Sequence, residues 1–243
     1  MIEIHPITAI GEVRAGDDLA ATLAAACAPL GLRADDILVV TQKIVSKAEG
    51  RFVDLAAIKP STRAVELAET TRKDPRLVEL VLAESSAVIR AVPNVLITRH
   101  KLGFVMANAG IDRSNLGPDG GDLALLLPEN PDASAAALAR ALDVAVVISD
   151  SFGRPWRVGV VNVALGSAGL PALWDRRGET DRDGCVLEVT QVAIADLVAS
   201  AAGLAMGEAG ESVPAALVRG YAPSGAANDA RALIRPPEED LFR

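Results

Sequence analysis

Two lysines, Lys43 and Lys47, stand four residues apart directly after an apolar run. That spacing places both side chains on one face of a strand, or makes them near neighbours on a helix. Two ammonium groups on one face repel each other unless an anion lies between them, and a polyphosphate would serve. The pair therefore indicates either phosphate binding or a solvated basic edge.

A second polar segment, residues 108–115, also follows an apolar run. Gly110 permits a sharp turn there. Asp112 offers a metal ligand, Asn115 an amide that both donates and accepts hydrogen bonds, and Arg113 a clamp for a carboxylate or phosphate. The alternative is a simple turn in which Asp and Asn bond to the local backbone.

The third polar segment, residues 149–157, ends a five-residue apolar strand and carries an acid where strands of α/β sheets commonly border a site. Asp150 and the Ser151 hydroxyl could share one divalent ion. Arg154 and Arg157 could hold an anionic substrate, and Trp156 could cover an aromatic ring. A capped turn with surface arginines is the alternative.

The remaining polar loop, residues 206–214, is the least specific, with Glu208 and Glu211 as candidate metal ligands in what is otherwise an exposed connection. The chain has no GxxxxGKS/T loop, no GxGxxG after a strand and no GxSxG elbow, and its histidines are His5 and His100. A metal would therefore need oxygen ligands, which favours magnesium or manganese.

Composition narrows the class of protein further. The chain has 243 residues, a net charge of -8 and only 3% aromatic residues. The acidic balance and the scarcity of stacking side chains argue against a nucleic-acid binder. There is no signal peptide or apolar run long enough to span a membrane, so a soluble, cytoplasmic protein is expected. Cys27 and Cys185 are expected to be ordinary buried thiols.

The elements that must position these segments mix strands and helices without the strict alternation of a doubly wound sheet, which predicts a mixed α/β (α+β) fold. Capping residues, β-branched runs and turn signals place the elements. We expect a strand at residues 2–4, a helix capped by Asp17 and Asp18 and closed by Gly31, helices within 61–83 broken at Pro75, strands turning at Pro93 and Asn94, a flexible loop at 117–122, a strand at 124–127, and a helix over 132–142 capped by Asp or Ser.

Together these segments resemble a known family. The stretches DDILVVTQKIVSKAEG, NAGIDRSN, ISDSFGRPWR and MGEAGESVPAALVRG, with the opening HPITAIGEVRAGDDLA, are similar to the coenzyme F-420-0:L-glutamate ligase (CofE-type) family. The resemblance covers essentially the whole chain.

The resemblance implies an enzyme that uses GTP to join L-glutamate to the phospholactyl carboxylate of a deazaflavin precursor, coenzyme F-420-0, adding one or more glutamates through γ-links. It implies two divalent ions, magnesium or manganese, and potassium as a stimulating cation. It also implies one catalytic unit over residues 1–243, built as a two-part monomer in an intertwined homodimer without the C-terminal reductase domain of some relatives.

Residue roles carry over by position. The metal ligands implied are Asp112, Asp150, Ser151 and, where the family has glutamine, Glu208. The nucleotide contacts implied are Ile10, Gly11, Glu12, Val13, Gln42, Lys43, Lys47, Asn115, Met206, Gly207, Glu208, Ala209, Gly210, Glu211, Ser212 and Val213. Lys43 and Lys47 would neutralise phosphate charge, and Arg154 and Arg157 are our hypothesis for holding the acceptor.

Two other functions fit the same residues. A metal-dependent phosphohydrolase or kinase could use the same aspartates, but a hydrolase would release phosphate without needing an amine. A non-catalytic nucleotide-binding module would bind without turnover and would leave the clustered acids and lysines unexplained.

Overall fold

The computed structural model describes residues 1–116 and 121–240. Its strands are β1 (Glu3–Ile7), β2 (Ile37–Thr41), β3 (Phe52–Asp54), β4 (Ser85–Val92), β5 (Val95–His100), β6 (Val105–Ala107), β7 (Leu123–Leu125), β8 (Ala145–Arg154), β9 (Arg157–Ala168), β10 (Leu173–Asp175), β11 (Gln191–Ala193) and β12 (Ala215–Arg219). Its α-helices are α1 (Leu19–Cys27), α2 (Gln42–Ala48), α3 (Thr62–Thr71), α4 (Pro75–Ala83), α5 (Pro131–Leu142) and α6 (Ile194–Met206). The chain is therefore mixed α/β, as the sequence predicts.

The largest sheet in the described part of the chain has the order β1-β12-β2-β8-β9. β2 and β8 run parallel, and the other pairs in this sheet are antiparallel. Side chains of β2 alternate between its two faces: Leu38 and Val40 belong to the core that contains α1 and α5, whereas Ile37 and Val39 belong to the core that contains α6. Burial on both faces explains why these central strands read as continuous apolar runs.

A separate core lies under the sheet β4-β5-β6, where α3 and α4 pack against one side of the strands. Pro75 stands in the first turn of α4, which Asp74 caps by accepting a hydrogen bond from the Arg76 N–H at 2.8 Å. β4 and β5 form a hairpin through Asn94, whose φ is +67°. The predicted break at Pro75 and the turn near Asn94 are confirmed. The two-subdomain division and the homodimer stay predictions.

Three expectations about individual residues are wrong. α5 begins at Pro131 and is capped by Asn130, because the Asp132 carboxylate instead accepts the N–H groups of Ser167 and Ala230 at 2.9 and 2.8 Å. The apolar strand does not end at residues 149–151, because pairing with β9 extends β8 to residue 154. Cys185 is exposed, since it lies in a polar turn; Cys27 is buried.

The remaining expectations concern the first strand, the loop at 117–122 and membrane-spanning helices. The first strand extends beyond residues 2–4 because β12 supplies hydrogen-bond partners as far as Ile7. The expected loop at 117–122 lies outside the described residues except for Gly121 and Asp122. In the described ranges, no helix combines the length and apolarity that crossing a membrane requires.

Candidate functional site

The lysine segment forms α2, which starts directly where β2 ends. Thr41, the last residue of β2, caps the helix by accepting the Lys43 N–H at 3.5 Å. Lys43 and Lys47 are therefore one helical turn apart at the carboxyl end of a central strand. This edge of a sheet is where ligands bind in many α/β folds.

Each of the two lysines already has a carboxylate partner. Lys43 Nζ lies 3.3 Å from Asp112 Oδ2 and also donates to the backbone and side chain of Ser114. Lys47 is almost fully buried and pairs with Glu12 from the loop after β1. The expected repulsion between the two ammonium groups is thus offset by carboxylates from two other segments.

Gln42, for which the resemblance implies a nucleotide contact, supports Asp112 from within the protein. Its side chain is fully buried, where its Nε2 donates to Asp112 Oδ2 at 3.2 Å and its Oε1 accepts from the Ser46 hydroxyl at 2.9 Å. Because both ends of the amide are bonded, Gln42 holds Asp112 in place from behind the wall of the site.

Asp112 reaches this position through an unusual backbone path. Asn108, Ala109 and Gly110 all adopt positive φ, at +51°, +52° and +68°. Asp112 then exchanges both backbone hydrogen bonds with Leu125 at 2.9 Å. The turn that Gly110 predicts is confirmed, and it re-aims the chain so that the carboxylate faces Lys43.

Asp150 lies in the middle of β8, and its carboxylate lies near that of Asp112. The pKa of Asp150 is raised to about 7, chiefly by burial and then by the negative charges of Asp112 and Glu208, while the Ser151 N–H and Lys43 act in the opposite direction. Asp112 and Asp150 are therefore close enough to repel each other, which a bound cation would relieve.

The loop after α6 completes this part of the site. Asn162 on β9 donates to Glu208 Oε1 at 2.7 Å. The Ala209 N–H bonds to Glu211 Oε2 at 2.7 Å and lowers the pKa of Glu211. The bond from Asn162 keeps Glu208 near Asp150. The bond between Glu211 and the Ala209 N–H folds the loop back on itself.

The two predicted arginines flank the tip of the β8–β9 hairpin. Arg154 Nη2 donates to the carbonyl of Val158 at 3.0 Å, so part of its guanidinium stabilises the hairpin. Its Nε is buried without a partner among the described atoms. Arg157 is exposed, and so is Trp156 in the turn between them, at 89% of its full exposure.

One cavity of about 1920 Å³ joins these segments. Its wall includes predicted residues from every segment: Ile10, Gly11, Glu12, Val13, Lys43, Lys47, Asp112, Asn115, Asp150, Ser151, Arg154, Arg157 and the run Met206, Gly207, Glu208, Ala209, Gly210, Glu211, Ser212 and Val213. The part of the wall made by β4, β5 and β6 contains no residue that is predicted from the sequence. The alternation of Leu96, Ile97, Thr98 and Arg99 could have indicated that one side of β5 faces a site.

The donor set suits a hard divalent cation that is shared with a ligand. Among residues 1–116 and 121–240, no three His, Cys, Asp or Glu side chains are arranged to hold a metal by themselves. Magnesium is usually bound by one or two carboxylates together with substrate phosphates. Asp112 and Asp150, with the oxygens of Ser151 and Glu208 on the same cavity wall, fit that kind of site.

Comparisons with known proteins point in one direction. The family model described as F420-0:Gamma-glutamyl ligase matches residues 8–220. The coenzyme F420:L-glutamate ligase of Methanopyrus kandleri is 45% identical over 252 residues, which cover 100% of this chain and 98% of that protein. The corresponding enzyme of Methanothermobacter thermautotrophicus is 48% identical, with 95% and 94% covered, and that of Natronomonas pharaonis is 43% identical, with 100% and 95% covered.

Proposed function

Because the chain belongs to the F420-0:gamma-glutamyl ligase family, we propose that it is a GTP-dependent ligase that joins L-glutamate to the phospholactyl carboxylate of coenzyme F420-0. One observation carries the proposal: Lys43, Asp112 and Asp150 come from three distant segments and meet on one cavity wall. Further γ-linked additions would use the same chemistry.

The reaction needs activation because a carboxylate does not react with an amine at neutral pH. An oxygen of the acceptor carboxylate attacks the γ-phosphorus of GTP, which forms an acyl phosphate and releases GDP. The amine of glutamate then attacks the acyl carbon, phosphate leaves, and the amine loses a proton. Catalysis of the first step depends chiefly on positioning and on neutralising phosphate charge.

Lys43 and Lys47 supply positive charge on the wall where the phosphates would bind. Each now pairs with a carboxylate, so a triphosphate would compete with Asp112 for Lys43 and with Glu12 for Lys47. Buried or half-buried ammonium groups act more strongly on a bound phosphate than exposed ones, since water screens them less. Loops 10–13 and 206–213 line the same cavity and would hold the remaining parts of the nucleotide.

Two magnesium or manganese ions would be held by Asp112, Asp150, Ser151 and Glu208, together with phosphate oxygens. When bound, such ions neutralise phosphate charge and align the reacting groups. Glu208 keeps an oxygen where the resemblance implies glutamine and adds a negative charge, so it would strengthen cation binding. Potassium as a stimulating cation is a further part of the proposal.

Arg157 would bind the acceptor, since it is exposed at the cavity and makes no ion pair within the described ranges. Arg154 would add its buried, unpartnered Nε. A guanidinium suits the phosphodiester and carboxylate groups of this acceptor because its donors match paired oxygens.

A homodimer is also proposed. Val158 and Val160 on the β8–β9 hairpin are exposed at 97% and 50%, next to the exposed Trp156. Apolar side chains grouped in this way commonly mark a contact between proteins. Light scattering after size exclusion should give twice the chain mass, and a monomer mass at micromolar concentration would rule the dimer out.

The decisive experiment incubates the protein with F420-0, L-glutamate, GTP and manganese and follows the products by mass spectrometry. Mass increments of one glutamate residue, with one phosphate released per increment, would establish ligation. Phosphate release that is equally fast without glutamate would instead identify a phosphohydrolase. Asp150→Asn should abolish the increments, and full activity of that variant would remove the metal assignment. Asp143→Asn, in the turn before β8, is the matched control.

A further inference from the structure

One wall of the cavity has no role in the chemistry above. It is the side of the sheet β4-β5-β6 that carries Ile89, Arg90, Ile97, Arg99 and Val105. The other side of the same strands packs in the core with α3 and α4. One face of this sheet is therefore packed in a core, and its other face borders the cavity.

The cavity-facing side chains form two rows across the strands. Arg90 pairs with Ile97 and Ile97 with Ala107, while Arg99 pairs with Val105. Neighbouring strands lie about 4.8 Å apart, so a row across three strands spans about 10 Å. This is the width of a flat system of three fused rings, and the rows present mainly aliphatic surface to it.

The two arginines on this face differ in whether a carboxylate balances their charge. Arg99 pairs with Asp240 at 3.6 Å, so its charge is already balanced. Arg90 is exposed and, within the part of the chain that the structure covers, forms no ion pair. An unpaired guanidinium beside aliphatic side chains suits a ligand that is both flat and anionic, because guanidinium groups stack on aromatic faces and bind oxyanions.

The size of the cavity leaves room for such a ligand beside the nucleotide. A pocket for one drug-sized molecule has a volume of about 300–1,000 Å³, whereas this cavity measures about 1920 Å³. The lysines lie on α2, Asp150 on β8 and Asp112 after the turn that follows β6, whereas the cavity-facing side chains of β4-β5-β6 form another part of the wall. Two large ligands can therefore occupy the cavity together, as a ligation requires.

We infer that the cavity-facing side of β4-β5-β6 binds the flat ring system of the acceptor F420-0, with Arg90 as its cationic contact. The inference rests on the proposed function and adds to it a subsite that determines acceptor specificity. The ring lies against Ile97 and Val105, and the other end of the acceptor extends toward Asp150.

The test measures binding of F420-0 and, separately, of GTP with manganese to the full-length protein by isothermal titration calorimetry. Arg90→Gln and Ile89→Gln alter exposed side chains, so both variants should fold. Each should raise the dissociation constant for F420-0 about tenfold, the equivalent of about 1.4 kcal/mol, and leave that for GTP within twofold. Arg63→Gln on α3 and Val95→Gln near the turn of β5 are matched controls outside the cavity and should change neither constant.

The outcomes separate this inference from the proposed function. An unchanged F420-0 constant in both variants, in a protein that still ligates glutamate, overturns the subsite alone. An equal loss of GTP binding in the two variants assigns the face to the nucleotide and also overturns the inference. A change in the solution mass of either variant relative to wild type overturns it as well, because the face would then be a contact between copies of the chain. If the wild-type protein binds F420-0 more tightly than Arg90→Gln does but forms no ligated product, the subsite is supported and the ligase function is refuted.

Discussion

The buried ion pair between Asp36 and Arg219 gives a sharp prediction for stability. Asp36 precedes β2 and is fully buried, and Arg219 ends β12. The guanidinium donates to both carboxylate oxygens, from Nε at 2.8 Å and from Nη2 at 2.7 Å. We therefore consider Asp36→Asn, which keeps the shape of the side chain and removes its charge.

The magnitude follows from burial. Removing one charge of a buried, hydrogen-bonded pair leaves the other uncompensated and costs about 3–5 kcal/mol. The asparagine oxygen still accepts one bond, so we expect about 3 kcal/mol. For a chain of this size, each kcal/mol lowers the melting temperature by roughly 2–4 °C, which gives a decrease of roughly 6–12 °C.

The pH dependence has a defined sign. The bonds from Arg219 hold the pKa of Asp36 below its ordinary value. The pair therefore stabilises the fold fully above the unfolded-state pKa of about 3.9, and this contribution is lost as the pH falls through the lower folded-state pKa. The difference in unfolding free energy between wild type and Asp36→Asn should shrink as the pH falls below about 4.

Urea denaturation followed by circular dichroism, at neutral pH and at several acidic values, measures these differences. Asp35→Asn removes the same charge from an exposed neighbour and is the matched control, with an expected change within about 0.5 kcal/mol. A loss below about 1 kcal/mol for Asp36→Asn at neutral pH would refute the reasoning, since buried pairs cost more to break. A difference that persists unchanged in acid would refute the linkage.

Three further variants test the site and its support. Lys43→Met should lower kcat by roughly 100-fold or more with the fold intact, since it removes a cation from the wall where the triphosphate is proposed to bind; a tenfold effect or less in steady-state assays would be too small for that role. Gly110→Ala should lower the unfolding free energy by about 1–3 kcal/mol, because φ is +68° and the new methyl would lie 2.7 Å from Met106 and 2.8 Å from Leu127; an unchanged urea midpoint would contradict it. Arg157→Ala should raise the KM for the acceptor more than that for GTP, and an unchanged acceptor KM would remove that role.

Much of the site follows from local patterns. Central strands buried on both faces read as apolar runs, and polar residues that follow them tend to meet at one edge of the sheet. Lys43 follows β2, Asp150 follows the apolar part of β8, and the structure makes these two strands parallel neighbours. Gly110, two residues before Asp112, likewise predicts a turn that the structure contains.

Other features depend on partners far away in the chain, which local patterns do not specify. Gln42 is a support for Asp112 because the two meet across 70 positions. Asp132 cannot cap its own helix because it binds backbone groups of Ser167 and Ala230. The extent of β8 depends on β9, whose antiparallel pairing carries the strand past the expected end.

The pairing of Lys43 with Asp112 joins two parts of the molecule as well as two charges. α2, which carries Lys43, packs in the core beneath the main sheet, whereas Ile111, next to Asp112, packs in the core with α3 and α4. In the proposed function, a phosphate of the nucleotide would compete with Asp112 for the Lys43 ammonium. Nucleotide binding, as proposed, would therefore remove one of the contacts between these two cores, whereas the Gln42–Asp112 hydrogen bond would remain.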